Sequence, residues 1–188
     1  IFSGVGTGTD YYDSAVPLPD GRVLFIPASS TTGNIGLFNP VSLTFSSVSV
    51  GTNSYEGGVV IPDGRVIMCP LGVGNVGIFN PATNSFTTAT PAGIVSVASN
   101  YNNAVCLPDG RVLFVAQSVT NFGLYNPLTN TFTTISGAPG GNAFIGAALM
   151  PDGRIICSPR SSTTIGIISG LVQGVPPEFC LHPMFNKF

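Results

Sequence analysis

The sequence predicts an all-β fold of four four-stranded antiparallel sheets, and three observations carry that prediction. The first is Leu18-Pro19-Asp20-Gly21-Arg22-Val23, which returns as Ile61-Pro62-Asp63-Gly64-Arg65-Val66, as Leu107-Pro108-Asp109-Gly110-Arg111-Val112 and as Met150-Pro151-Asp152-Gly153-Arg154-Ile155. The second is the spacing. The prolines stand at 19, 62, 108 and 151, so the intervals are 43, 46 and 43 residues, and a fixed period of this size marks a repeat architecture. The third is a second motif inside the repeat, Gly36-Leu37-Phe38-Asn39-Pro40, which returns as Gly77-Ile78-Phe79-Asn80-Pro81 and as Gly123-Leu124-Tyr125-Asn126-Pro127.

Each repeat opens on a short apolar arm, such as Gly58-Val59-Val60-Ile61 or Ala104-Val105-Cys106-Leu107. Pro-Asp-Gly-Arg follows, then a second apolar arm such as Val66-Ile67-Met68-Cys69 or Val112-Leu113-Phe114-Val115. Runs this short and this rich in Val, Ile and Phe read as strands. They lack polar alternation, so both faces are expected to be covered. Asp-Gly between two such runs predicts a hairpin with a two-residue type I′ turn, which needs φ > 0 at both central positions. The turn residues Asp20, Gly21 and Arg22, Asp63, Gly64 and Arg65, Asp109, Gly110 and Arg111, and Asp152, Gly153 and Arg154 are therefore read as structural, with each arginine bonding a nearby carbonyl or carboxylate.

The Asn-Pro motif supplies the second half of the repeat. Pro presets φ and Asn can bond its own backbone, so Asn39-Pro40 and its copies start a turn. The later Asn84 and Asn130 suit a left-handed position. Each repeat is then a meander of four strands, and a four-stranded meander about every 45 residues is the signature of a β-propeller blade. The order of strand, Asp-Gly turn, strand and aromatic-Asn-Pro turn resembles kelch and galactose-oxidase-type blades. The Pro-Asp-Gly-Arg turns and the Phe38, Phe79 and Tyr125 Asn-Pro turns carry the resemblance. It departs from that pattern in two places: no Gly-Gly doublet follows the second strand, where Pro27, Pro70 and Ala116 stand, and Phe45, Phe86 and Phe132 replace the usual Trp of the fourth strand. The resemblance implies an architecture and no activity.

The repeats are out of phase with the chain ends. Residues 2–13 align with 45–56, so the N-terminal stretch is a fourth strand without a blade. The last repeat has its first three strands, with Gly166-Ile167-Ile168 third, and no fourth. The expected solution is closure: residues 1–5 pair with residues 164–169 and complete the last blade, which removes open edges. The alternative is that these are the last four repeats of a larger ring. Residues 1–173 are assigned to the propeller. The apolar, proline-broken stretch 174–188 is assigned to a tail that packs on the propeller or on a neighbour.

Composition bounds the function. Charged residues make up 7% of the 188 and the net charge is −2, against roughly 25% charged in ordinary soluble domains. Such a surface steers neither nucleic acid nor an anionic membrane, and no apolar run reaches membrane-spanning length. Ser, Thr, Asn and Gly fill the surface, a composition associated with extracellular, cell-surface and virion proteins. Cys69, Cys106 and Cys157 fall in strands and read as buried free thiols, with a disulfide from Cys180 to one of them as the alternative. No zinc spacing is present.

The chemical inventory is thin. Four of the eight acidic residues and four of the six basic ones are spent in the repeated turns, and the chain has one histidine, His182. A hydrolase needs an acid/base pair or an activated nucleophile. A galactose-oxidase-type copper site needs His and Tyr ligands together. The expectation is therefore no enzyme activity, no metal and no cofactor. One constellation stands out. Seven residues before each hairpin proline come Tyr12, Tyr55, Tyr101 and Phe144, followed by Asp13, Glu56, Asn102 and Ile145. These open the innermost strands, so they are expected either to ring one mouth of the central channel and hold a ligand, or to fill the core. The function read from sequence is a non-catalytic structural or interaction module whose partners are other protein subunits, copies of itself included. The alternative is a lectin-like, glycan-binding propeller.

Overall fold

The computed structural model describes residues 12–27, 33–94 and 101–172. The first blade is β1 (Tyr12–Pro17), β2 (Val23–Pro27), β3 (Asn34–Asn39) and β4 (Thr44–Ser49). The second is β5 (Tyr55–Val60), β6 (Val66–Pro70), β7 (Val76–Asn80) and β8 (Ser85–Ala89). The third is β9 (Tyr101–Cys106), β10 (Val112–Ala116), β11 (Asn121–Asn126) and β12 (Thr131–Ser136). The fourth holds β13 (Phe144–Leu149), β14 (Ile155–Pro159) and β15 (Gly166–Ile168). Every sheet is an antiparallel meander in sequence order. The chain is a four-bladed β-propeller. The closing strand expected at residues 1–5, the 174–188 tail and Cys180 lie outside the described residues.

The Pro-Asp-Gly-Arg hairpin differs from its expected form. Gly21 Nα donates to the Leu18 carbonyl at 3.0 Å, and Leu18 Nα donates to the Arg22 carbonyl at 2.8 Å. Gly21 takes φ of 87° while Asp20 is not in the left-handed region. The loop is thus three residues, Pro19-Asp20-Gly21: a type I turn with proline at its second position, then a left-handed glycine. The same bonds recur at 61–65, 107–111 and 150–154. Proline decides the outcome, because its fixed φ fits the second position of a type I turn and not a type I′. The Asn-Pro turns form as expected. Asn39, Asn80 and Asn126 accept from the backbone N–H two residues on at 2.9, 3.0 and 3.0 Å. Asn84 and Asn130 take φ of 51°, and Leu43 in the first blade takes 53°.

The innermost strands pack in order, β1 on β5, β5 on β9 and β9 on β13, and no comparable packing joins β13 to β1 among the described residues. Hydrophobic cores fill the seams between blades. Leu24, Ile26 and Ile35 meet Tyr55, Met68 and Phe79 in the first seam. Ile67 and Val76 meet Tyr101, Phe114 and Tyr125 in the second. Leu113, Val115 and Phe122 meet Phe144 and Ile155 in the third. The expected coverage of both strand faces holds where a blade has two neighbours: β6 and β10 are buried at every position. In the outer blades, β2 and β14 alternate between buried and open positions.

Candidate functional site

The aromatic residues that open the innermost strands point into the blades. Tyr55, Tyr101 and Phe144 are buried and Tyr12 is half-buried. Each lies over a glycine of its own third strand. A Cβ on Gly77 would stand 2.8 Å from the Tyr55 ring, and one on Gly166 would stand 2.7 Å from Phe144. Gly36 and Gly123 are covered jointly by Tyr12 with Phe45 and by Tyr101 with Phe132. The fourth-strand phenylalanines complete the stack, with Tyr55 edge-on to Phe86 at 5.8 Å and Tyr101 tilted on Phe132 at 6.1 Å. The rings are blade core and do not line the channel mouth. The Tyr55 hydroxyl donates to Asn75 Oδ1 at 2.5 Å, and Asn75 Nδ2 donates to Asn53 Oδ1 at 3.0 Å. Burial raises the Tyr55 phenol above its usual range and brings that of Tyr101 to about 12.

The next position along each innermost strand varies in burial. Asp13 is exposed, Glu56 half-buried and Asn102 buried. Burial first, and the Asp13 carboxylate second, push the Glu56 carboxyl above the usual range, while Arg160 pulls it partly back. Asp13, Glu56 and Arg160 belong to the first, second and fourth blades. Asn102 Nδ2 donates to the Phe144 carbonyl at 2.7 Å, tying the third blade to the fourth. Glu56 Oε2 and Asn102 Oδ1 are buried with no donor among the described residues, as is Gln117 Oε1. Sequence reading passed over Arg160 and Gln117. Both directly follow a second strand, where the other repeats carry Ala28 and Leu71. Aligning that one column would have found them.

Behind Glu56, Cys69 Sγ accepts from Gly57 Nα at 3.0 Å and donates to the Gly57 carbonyl at 2.9 Å. Burial pushes this thiol up to about 12, so it stays protonated and inert at neutral pH. Cys106 and Cys157 are also free and raised by burial to about 11.

The repeated turns lie at the other end of the strands. In each, Asp accepts from the backbone N–H of its arginine at 3.0–3.1 Å and from the guanidinium through its second oxygen. The arginines also reach forward. Arg22 donates to Asn84 Oδ1 at 2.6 Å and to the Pro81 carbonyl at 2.8 Å in the second blade. Arg111 donates to the Leu171 carbonyl at 2.8 Å in the fourth. Arg65 bonds its own Asp63 and borders a cleft of about 370 Å³ lined also by Asp63, Asp109, Asn126 and Leu128. One hydroxyl distinguishes this seam from the first. Tyr125 donates to Asn130 Oδ1 at 3.3 Å, occupying the acceptor that its counterpart Asn84 offers to Arg22 beneath Phe79. Among the described residues no His, Cys, Asp and Glu cluster could hold a metal ion.

No family model and no curated protein matches this sequence. Solved structures do match. A streptogramin B lyase structure superposes with a TM-score of 0.72 at 15% identity, over 88% of this chain and 54% of its own. A hydrazine synthase of Kuenenia stuttgartiensis matches with 0.66 at 14%, over 88% and 49%. A virginiamycin B lyase from Staphylococcus aureus matches with 0.64 at 11%, over 85% and 55%. The chain spans about half the length of each. At these identities the likeness shows the fold alone. The likeness is to virginiamycin B lyase-like propellers and not to kelch repeats in particular. It also overturns the expectation that the chain is not an enzyme. Three proteins that share its architecture are named as enzymes, so a thin inventory of titratable side chains on this scaffold does not argue for inertness.

Proposed function

We propose that this propeller is an interaction module that docks other protein subunits on an extracellular surface, a filament or a virion. One observation carries the reading: large apolar side chains stand in solvent on a surface almost without charge. Val41 is 93% exposed and Leu128 is 91% exposed at the tips of Asn-Pro turns, Ile167 is 59% exposed on β15 and Ile165 is 62% exposed just before it. Apolar surface of this kind, rimmed by Ser and Thr, favours protein contact. Few ions have to be stripped of water when such a surface is covered. The test is a concentration series in the ultracentrifuge with a hydrophobic dye as second readout. The wild-type chain is expected to associate and to bind dye, and Val41→Ser/Leu128→Ser/Ile167→Ser to do less of both. Identical behaviour of the two chains removes the reading.

A second reading rests on the channel mouth. Glu56 Oε2 and Asn102 Oδ1 lack donors, and a hydroxyl-rich ligand such as a glycan supplies them. Calorimetric titration of oligosaccharides against wild type and Glu56→Gln tests it. A heat of binding that persists unchanged in the variant places any glycan elsewhere.

A further inference from the structure

Two turn arginines, Arg22 and Arg111, join blade to blade in one direction, and among the described residues no such bond is made by Arg154 or to the turn of the first blade. Arg22 and Arg111 each donate forward to a backbone carbonyl of the following blade at 2.8 Å. Arg65 bonds its own Asp63 and borders a cleft against the following blade. Arg154 occupies the same position in the fourth blade and, among the described residues, holds only its own Asp152. Its side chain is 51% exposed, against 20% for Arg22. At the other end of the chain, the Asn39–Leu43 turn of the first blade receives no arginine from a described residue. Leu43 there replaces Asn84 and Asn130 and is 59% exposed, with Val41 beside it. The turn thus offers the Pro40 carbonyl and an apolar cap, and Met150, 37% exposed next to the fourth turn, is an apolar counterpart.

The burial of the strands agrees. Hydrophobic cores fill the three seams between successive blades, while the outward faces of the first and fourth blades have none among the described residues. We propose that a second copy of this chain covers them. The fourth blade of each copy seats against the first blade of the other, Arg154 donates to the Pro40 carbonyl, and Leu43 packs against Met150. Because the two unused surfaces are the two halves of one kind of interface, a pair related by a two-fold axis satisfies both copies at once and leaves no open end. The solved propellers of this fold are about twice as long as this chain, so two copies carry about as much chain as one of them. The inference rests on the interaction-module reading and narrows it to one partner.

Sedimentation equilibrium of the 188-residue chain is expected to give twice its 19.3 kDa mass. Leu43→Asp and Arg154→Glu are each expected to halve the observed mass while keeping the β-sheet circular dichroism signal. A short bismaleimide is expected to link Leu43→Cys chains to Arg154→Cys chains when the two are mixed, and to link neither alone at that seam. A wild-type chain that sediments as a monomer at tens of micromolar overturns the proposal. So does a Leu43→Cys/Arg154→Cys double variant that cross-links within one chain, which means closure by the chain itself. Dye binding separates the two levels: a monomer that still binds dye overturns only the second copy, and a monomer that binds none overturns the interaction-module reading with it.

Discussion

Adding one methyl group to Gly77 tests how tightly a blade is packed. The new Cβ would lie 2.8 Å from the Tyr55 ring and 3.2 Å from the Met68 Cβ. The ring cannot retreat easily, because it is fully buried and its hydroxyl is held by Asn75. Overpacking of this kind costs about 1–3 kcal/mol, so Gly77→Ala is expected to lower the urea midpoint accordingly. A loss under about 0.5 kcal/mol would mean that the ring has room to move. Glu56 makes the opposite case. Its folded pKa lies above the unfolded one through burial and then Asp13, so the folded state holds its proton more tightly. Stability from this residue therefore falls as pH rises from the ordinary glutamate range through the raised value. Glu56→Gln is expected to raise the melting temperature at pH 7 and to change it little near pH 4. An equal gain at both pH values would locate the effect outside the titration. Asp20 runs the other way: the Arg22 side-chain bond, ahead of the other causes, lowers its pKa, and its contribution is lost as pH falls below the ordinary aspartate range.

Among the turns, a single hydroxyl separates two seams of otherwise equal design. Asn84 is free to accept from Arg22, and Asn130 is taken by Tyr125. Hydrogen bonds to a charged donor contribute roughly 1.5–3 kcal/mol when shielded, and less where water competes. Arg22→Ala is thus expected to cost about 1 kcal/mol more than Arg65→Ala in urea unfolding. In a Tyr125→Phe background Asn130 is released, so the cost of Arg65→Ala is expected to rise towards that of Arg22→Ala. A cost that stays the same in both backgrounds would show that the cleft, and not the hydroxyl, keeps Arg65 away. The sequence makes part of this legible. The four-strand order and the Asn-Pro turns follow from local chemistry, since Asn39 and Pro40 act on residues next to them. The hairpin loop departs from the expected form because Asp20-Gly21 invites a two-residue turn while Pro19 fits the second position of a type I turn. For Tyr55 the sequence leaves channel mouth and core both open, because its partner, Gly77, lies a strand pair away and contributes no side chain to a pattern. Arg160 and Glu56 come from different blades, so only the folded chain brings them within electrostatic reach of each other.

A ring of repeats is stabilised by what each blade shares with its neighbours, and that makes stability uneven along this chain. The strands β6 and β10 are buried at every position, and β2 and β14 are not. All four have the same place in their blades, the same hairpin before them and closely similar side chains, so local sequence predicts equal protection. Seam packing predicts a gradient. The Arg154→Glu chain is the right material, because its outer seam is disabled and only the three internal seams remain. In it, amide hydrogen exchange is expected to be slowest in β6 and β10 and faster in β2 and β14, with the fourth blade opening first. That blade combines an unpaired outer edge on β15 among the described residues with exposed Ile165 and Ile167. In the wild-type chain the proposed second copy would cover both outer faces, so β2 and β14 are then expected to gain protection as concentration rises while β6 and β10 stay unchanged. Equal exchange across the four strands in the variant would mean that blades are held by their own hydrogen bonds and not by their neighbours. The account of the seams, and of what the vacant one is for, would then fail together.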